Sequence, residues 1–486
     1  MPALRPVPIC LAAVWLAVGS WSSCLAADPA GADRTAQLEQ ENVRLRAEAG
    51  FSRRRLALLE QEADRLRAVV KTRQDADDLA ANRTRRQEIE REVERLRGLR
   101  FLYPVDYHEI PRSELPTVLR QKLAQQVPDQ EFEASGMALA ALGVLPAGID
   151  LKKTYLALLG EQIGAFYDQH EKGLFTFTGQ PLSTSTNRVV MAHELTHALE
   201  DQHFDLTRLP MEAKGNDDRV LAATALVEGD ATLVMNRYLT GDLSASALRE
   251  ALGSALTTDV RQLAAAPRYL RETLLFPYLR GQEFCDALYA RGGWDALGEA
   301  FRHPPSSSAQ ILHPELYLAD PPEEPVVISL ADAEIDGQRP ADDNVLGEFG
   351  ARQLFMNWLH DKARAEEAAA GWRGDRYVVY RSPAGTSYAW KVACRNSLAA
   401  KRFYQAVFDV NLERYHPIRS AETSIRPPQS SGNKPLVQAD VFAASGRVLG
   451  FCLTGDNEVI VIDAQDRRWM DALARGIAPG IRFPNQ

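Results

Sequence analysis

Met191-Ala192-His193-Glu194-Leu195-Thr196-His197-Ala198-Leu199 sets two histidines four positions apart, with a glutamate beside the first. At 3.6 residues per turn this spacing brings both imidazoles to one face of a helix. One zinc ion can bridge such a pair at about 2.0–2.1 Å per Zn–N bond. Glu194 then stands where it can take a proton from a water activated by the metal. Ala192, Leu195 and Leu199 recur at helical spacing and give the same helix a core face.

A catalytic zinc normally takes three protein ligands and a water. Two residues compete for the third place. Glu228 lies on a second expected helix, in a stripe with Leu221, Ala225, Ala231 and Met235. A lone carboxylate in an apolar stripe is costly unless it is paired or binds a metal. His203, six residues after His197, fits the outline HExxHxxGxxH except that Glu200 replaces the glycine. Without that glycine the helix continues and His203 faces elsewhere, so Glu228 is the better candidate.

The run Val190–Ala198, followed by Asp201, resembles the active-site helix of thermolysin-like gluzincins. The resemblance implies that His193, His197 and Glu228 are zinc ligands and that Glu194 is the general base. It also implies that Asp201, one turn after His197, sits behind the ligands. Thr232 departs from the pattern, since thermolysin has an aspartate four residues after its ligand glutamate. A wider stretch, Gly98 to about Tyr317, resembles bacterial exported metallopeptidases. The matching pieces are Gly164–Asp168, His193–Phe204, Phe276-Pro277-Tyr278 and Gln310–Pro314. Tyr278 and His313 either pack structurally beside proline or stabilise a developing oxyanion opposite the metal.

At 486 residues the chain can bury more than one core. Its 56 Lys and Arg and 65 Asp and Glu are interspersed and leave a net charge of −9, so nucleic acid is not an expected partner. Arg5 followed by the apolar Ile9–Val18 reads as an export signal, residues 1–26, ending near Ala26 or Ala27. The expected location is periplasmic or secreted. Trp21-Ser22-Ser23-Cys24 is a poor lipobox, and no apolar run of the mature chain is long enough to span a bilayer. Beyond the signal, Cys285, Cys394 and Cys452 remain. Cys394 and Cys452 either pair in an oxidising compartment or, with Cys285, are buried free thiols.

Residues 34–99 are rich in Arg, Glu, Gln, Leu and Ala, without proline. Leu38, Leu45, Leu59 and Leu66 keep a step of seven, and Asn42, Ala49, Leu56, Ala63 and Val70 keep the companion step. This is a coiled-coil seam, interrupted by Ser52, that either joins copies of the chain into a homo-oligomer or packs on the chain itself. The phase breaks at Asp75–Asp78 before Ile89, Val93 and Leu96 resume helical spacing.

Residues 100–320 are the expected zinc metallopeptidase domain. Helices are expected at Leu115–Gln126 and Leu151–Phe166, then an edge strand at Gly173–Thr178 that could hold extended peptide by main-chain pairing. Asp168 suits the opening of a turn through Lys172, and a mostly helical segment runs from Ser244 to Phe301. After the polar Asp320–Asp343, residues 340–486 read as a small α+β domain. Its strands are Tyr377–Tyr380, Tyr388–Cys394, Val448–Leu453 and Val459–Ile462, its helices Ser397–Phe408 and Arg467–Ala474, and Pro427–Lys434 is a loop. The whole is α+β and mostly helical, with a gluzincin-like catalytic domain built on a pair of active-site helices. The expected activity is zinc-dependent hydrolysis of a peptide or protein. The alternatives are an exported coiled-coil scaffold with a structural or latent zinc site, and a zinc hydrolase of a non-peptide amide.

Overall fold

The computed structural model describes residues 29–162, 164–241, 261–330, 335, 338–415, 429–430, 436–477 and 481–482. The export signal with Cys10 and Cys24, and most of the Pro427–Lys434 loop, lie outside them. The chain is α+β and mostly helical. Among the described residues, no helix is long and apolar enough to cross a membrane.

Helix α1, Pro29–Arg97, is one unbroken run. It stops at Gly98, whose φ of 75° is a left-handed conformation that glycine adopts without a Cβ clash. The chain divides into two units, residues 1–79 and 80–486. The expected coiled coil of residues 34–99 is therefore split. From Ala80 the helix belongs to the larger unit, where Ile89 and Val93 pack with Leu174, Met191, Leu195 and Leu199. From Leu38 to Val70 the seam leucines stand exposed.

In the larger unit come β1 (Asp106–Ile110), α2 (Leu115–Gln126), α3 (Asp129–Leu142), α4 (Leu151–Gln162), β2 (Phe166–Asp168), β3 (Gly173–Phe177) and α5 (Ser185–Phe204). The strands form a sheet of order β1-β3-β2. This corrects two expectations. The helix read as Leu151–Phe166 ends by Gln162, and Phe166 starts a strand. Strand β3 is central and buried throughout, so its backbone is not open to a peptide. Its alternation misled because β1, through Asp-Tyr-His-Glu-Ile, covers its second side in parallel register. The two edges of the sheet belong to β1 and β2.

Helix α6 (Asp217–Gly241) follows, then α7 (Arg261–Ala265), α8 (Arg268–Arg302), α9 (Ser308–Leu312) and α10 (Pro314–Tyr317). Helix α8 holds Pro277 and is broken at Gly292-Gly293. A Cβ on Gly229 would lie 2.3 Å from the Gly281 backbone, and one on Gly281 would lie 2.0 Å from the Ala225 oxygen. Helices α6 and α8 therefore cross backbone to backbone, which two glycines permit.

The C-terminal part holds β4 (Asp342–Asn344), α11 (Gly347–Trp358), α12 (Lys362–Ala369), β5 (Trp372–Ser382), β6 (Gly385–Cys394) and α13 (Ser397–Arg414). After these come β7 (Gln429–Ser430), β8 (Leu436–Ala444), β9 (Arg447–Thr454), β10 (Glu458–Ala464), α14 (Arg467–Ile477) and β11 (Ile481–Arg482). Six strands make a sheet of order β4-β5-β6-β10-β9-β8. The polar stretch near residue 330 does not separate two cores. Helix α3, through Ala138, Leu139 and Leu142, shares one core with Tyr388, Trp390, Phe403 and Phe451. Cys394 and Cys452 are free buried thiols and cannot pair. Strand β10 separates their strands, and Cys394 faces the core that holds Trp390 while Cys452 faces the one that holds Met470. Strands two apart are about 9–10 Å distant, beyond the reach of a disulfide.

Candidate metal centre

Helix α5 starts at Thr184, whose side chain accepts the Asn187 N–H, and runs without interruption to Phe204. It buries Ala192, Leu195 and Leu199, so its histidine face turns toward α6. The α6–α8 crossing at Gly229 holds Glu228 against that face. His193 Nε2 lies 3.1 Å from Glu228 Oε2 and 3.1 Å from His197 Nε2, and His197 Nε2 lies 3.4 Å from Glu228 Oε2. Three ligands about 2.0–2.1 Å from a tetrahedral ion lie about 3.3–3.4 Å from one another, so this spacing suits one small cation. All three donor atoms fall within 4.8 Å, and the trio can hold a metal ion. The donor set also fits. Two imidazole nitrogens and a carboxylate oxygen aimed at one point need a proton or a cation between them. Burial alone would raise the Glu228 carboxyl, but His197 and His193 outweigh it and hold the group well below the usual carboxylate range.

The layer behind the trio differs from expectation. Glu200 Oε2 meets His197 Nδ1 at 3.0 Å, and Glu200 is fully buried. Burial pushes the Glu200 carboxyl up to about 8, against the opposing pull of His197 and Arg97. Arg97, at the end of α1, donates Nε–H to Asp230 Oδ2 at 2.7 Å, with both side chains buried. Its guanidinium sits 4.5 Å from the centre of the Trp294 ring. Asp230 thus pairs with α1 and does not back a ligand. Asp201 is not behind the ligands either. Its oxygens accept from Lys172 Nζ, the Leu206 N–H and the Tyr167 hydroxyl. The i, i+3 spacing of His197 and Glu200 was the available signal for the true partner. Glu200 also stands where the HExxHxxGxxH outline has glycine, and that comparison hides its pairing with His197. Among the described residues, His193 Nδ1 has no hydrogen-bond partner.

Glu194 is held from the sheet. The Tyr167 N–H, on the free edge of β2, donates to Glu194 Oε2 at 2.9 Å. The Tyr167 hydroxyl donates to Asp201 at 2.6 Å, so one residue ties the glutamate to the far end of the same helix. Burial raises the Glu194 carboxyl, opposed by the two histidines. Asp168 Oδ1 accepts the N–H groups of His170 and Glu171, capping the turn that leads into β3.

Of the two oxyanion candidates, the fold brings one to the trio. The Tyr278 ring centre is 6.0 Å from that of His193, and the side chain is 38% exposed, open to a ligand. Its hydroxyl is raised well above the ordinary tyrosine value, first by the neighbouring Glu228 charge. His313 is not at the site. Its Nε2 meets buried Glu348 at 2.7 Å, and its charged neighbours are Glu348, Glu315 and Arg395. His203 also faces away, with Nε2 2.7 Å from the Arg100 carbonyl.

A cleft of about 380 Å³ opens beside Glu228 and Tyr278. It follows α6 past Thr224 and Leu221 to Asp217 and Asp218, with Leu274 and Phe349 on its walls.

A family model described as a domain of unknown function (DUF8575) matches residues 335–466. The match covers β4 to β10 and lies downstream of the trio. No curated protein and no solved structure matches the chain.

Proposed function

We propose that this chain is an exported zinc-dependent peptidase of gluzincin type. The observation that carries the reading is the convergence of His193 Nε2, His197 Nε2 and Glu228 Oε2 beside a carboxylate, Glu194, that is not needed as a ligand. A purely structural zinc site has no use for that fourth group. Bound zinc would supply Lewis acidity, which brings the pKa of a water toward about 7 and polarises a carbonyl.

The chain's own groups account for the rest. His193, His197 and Glu228 would hold the ion, and Glu200 would fix the orientation of His197 by taking its Nδ1–H. The Tyr167 N–H engages one oxygen of Glu194 and leaves the other to receive the proton of the attacking water. Glu194 then returns that proton to the leaving amine nitrogen. Tyr278 offers its hydroxyl to the oxygen that gains charge. The cleft beside Glu228 has the size and the mixed lining of a site for part of a peptide.

The test is mass-spectrometric profiling of a peptide library with the zinc-loaded chain from Ala27 to Gln486, beside Glu194→Ala. Cleavage by the parent alone is expected, and the products distinguish end trimming from internal cutting. Glu194→Gln should keep one zinc per chain and lose turnover. Cleavage that survives in that variant would remove Glu194 from the chemistry. No cleavage by the zinc-loaded parent would favour the scaffold reading or a non-peptide amide.

A further inference from the structure

Residues 37–70 of α1 form a solvent-facing helix whose large apolar residues stand exposed among the described residues. Leu38, Leu45, Leu56, Leu59, Leu66 and Val70 are each 55–61% exposed. At 1.5 Å per residue the stripe they make is about 50 Å long, and an exposed apolar stripe of that length marks an interface. Phe51 and Leu58 are exposed on another face, but Arg44 and Arg65 stand one heptad to either side of them, so no second seam runs there.

The charges beside the seam identify the occupant. With Asn42, Ala49, Leu56, Ala63 and Val70 at position a and Leu38, Leu45, Ser52, Leu59 and Leu66 at d, the g positions are Glu41, Glu48, Arg55 and Glu62. The e positions that follow each of them are Arg46, Arg53, Glu60 and Arg67. In a parallel, in-register pair each g residue faces the e residue five positions later on the other helix. The facing pairs are then Glu41 with Arg46, Glu48 with Arg53, Arg55 with Glu60, and Glu62 with Arg67. Each one is attractive, although the sign reverses at the third. An antiparallel pair sets g against g and e against e and cannot use this offset. Asn42 at a single a position specifies register and oligomer state, since each copy's amide then meets the other.

We propose that residues 37–70 form a parallel, in-register, two-stranded coiled coil with a second copy of this chain. The protein is then a dimer in which both copies enter residue 80 from the same end of the coil. This assignment is independent of the chemistry at the metal centre.

The test uses sedimentation equilibrium of the full chain and two charge-swapped variants. One carries Glu41→Arg, Glu48→Arg, Arg55→Glu and Glu62→Arg. The other carries Arg46→Glu, Arg53→Glu, Glu60→Arg and Arg67→Glu. These positions are exposed, and an unchanged near-ultraviolet circular dichroism spectrum checks that each variant keeps its fold. The parent is expected at twice the chain mass and each variant alone at the chain mass, because every facing pair becomes like-charged. An equimolar mixture should return to twice the chain mass, since the two swaps complement each other. A monomeric or trimeric parent, a variant that dimerises alone as the parent does, or a mixture that stays monomeric overturns the proposal.

Discussion

The backbone of Gly281 occupies the space beside Gly229, so close that a Cβ on Gly229 would sit 2.3 Å from the Gly281 carbonyl carbon. This contact lies one residue after Glu228 on α6 and three after Tyr278 on α8. It limits how far α6 can stand from α8, and it places Glu228 and Tyr278 beside the two histidines.

Gly229→Ala should therefore disturb both stability and metal binding. Overpacking typically costs about 1–3 kcal/mol, and the shift needed to relieve it moves Glu228 away from the histidines. Chemical denaturation and zinc titration report the two effects. A variant with the parent's midpoint and the parent's zinc affinity would show that the crossing does not set the site.

Glu228→Ala should lower zinc affinity by more than the roughly 10–100-fold that loss of an outer partner costs. His203→Ala should leave it unchanged, because His203 faces the Arg100 carbonyl. Isothermal titration with zinc separates the two, and the reverse ranking would exchange their roles.

Glu200→Leu removes the acceptor for His197 Nδ1–H and should weaken zinc binding by about 10–100-fold. Glu200→Gln retains a carbonyl acceptor and should recover part of the loss. Asp201→Asn is the control. It weakens ties to Tyr167, Lys172 and Leu206, so its effect belongs to thermal stability and not to metal affinity.

Arg97→Met leaves Asp230 as an unpaired buried charge. Breaking a buried pair from one side typically costs about 3–5 kcal/mol. The double variant Arg97→Met, Asp230→Leu should restore much of the loss, because neither charge is then stranded. Urea unfolding of the two variants measures this, and equal destabilisation in both would mean that the pairing contributes little beyond its volume.

Asp218 gives stability a pH dependence of known sign. It accepts the Ser308 N–H at 3.1 Å, and burial pushes its carboxyl up to about 7, with Asp375 and Glu348 nearby adding to the rise. A folded-state value above the unfolded one means that the fold holds the proton more tightly. The contribution is full below about 3.8, the group's ordinary value, and is lost as pH rises through about 7. Asp218→Asn stays neutral throughout. Its stability relative to the parent should therefore rise with pH across this window, by at most about 1.4 kcal/mol per unit. A difference that is flat from pH 4 to 8 would show that Asp218 ionises normally.

Local periodicity made much of this molecule readable. The i, i+4 step of His193 and His197 determines a shared helix face wherever that helix packs, and alternating apolar residues mark β5, β6, β9 and β10 but not β4 or β8. Glu228 was legible for a different reason: a carboxylate in an apolar stripe must meet a partner that offsets its burial. The heptad step of residues 38–70 likewise marks the apolar stripe that stands exposed along α1.

What only the tertiary structure decided are the partners of buried polar groups. Arg97 with Asp230, Tyr167 with Glu194, and His313 with Glu348 join residues 133, 27 and 35 positions apart. No periodicity encodes such distances, because each depends on which helix faces cross and how closely. The central place of β3 and the separation of Cys394 from Cys452 have the same origin: strand order follows from how strands meet, while residue alternation reports only which side of a strand is buried. The sequence by itself determined which residues could carry the chemistry, and the packing of α5, α6 and α8 decided which of them stand together, because a short-range pattern fixes a face and only a close-packed core fixes its neighbour.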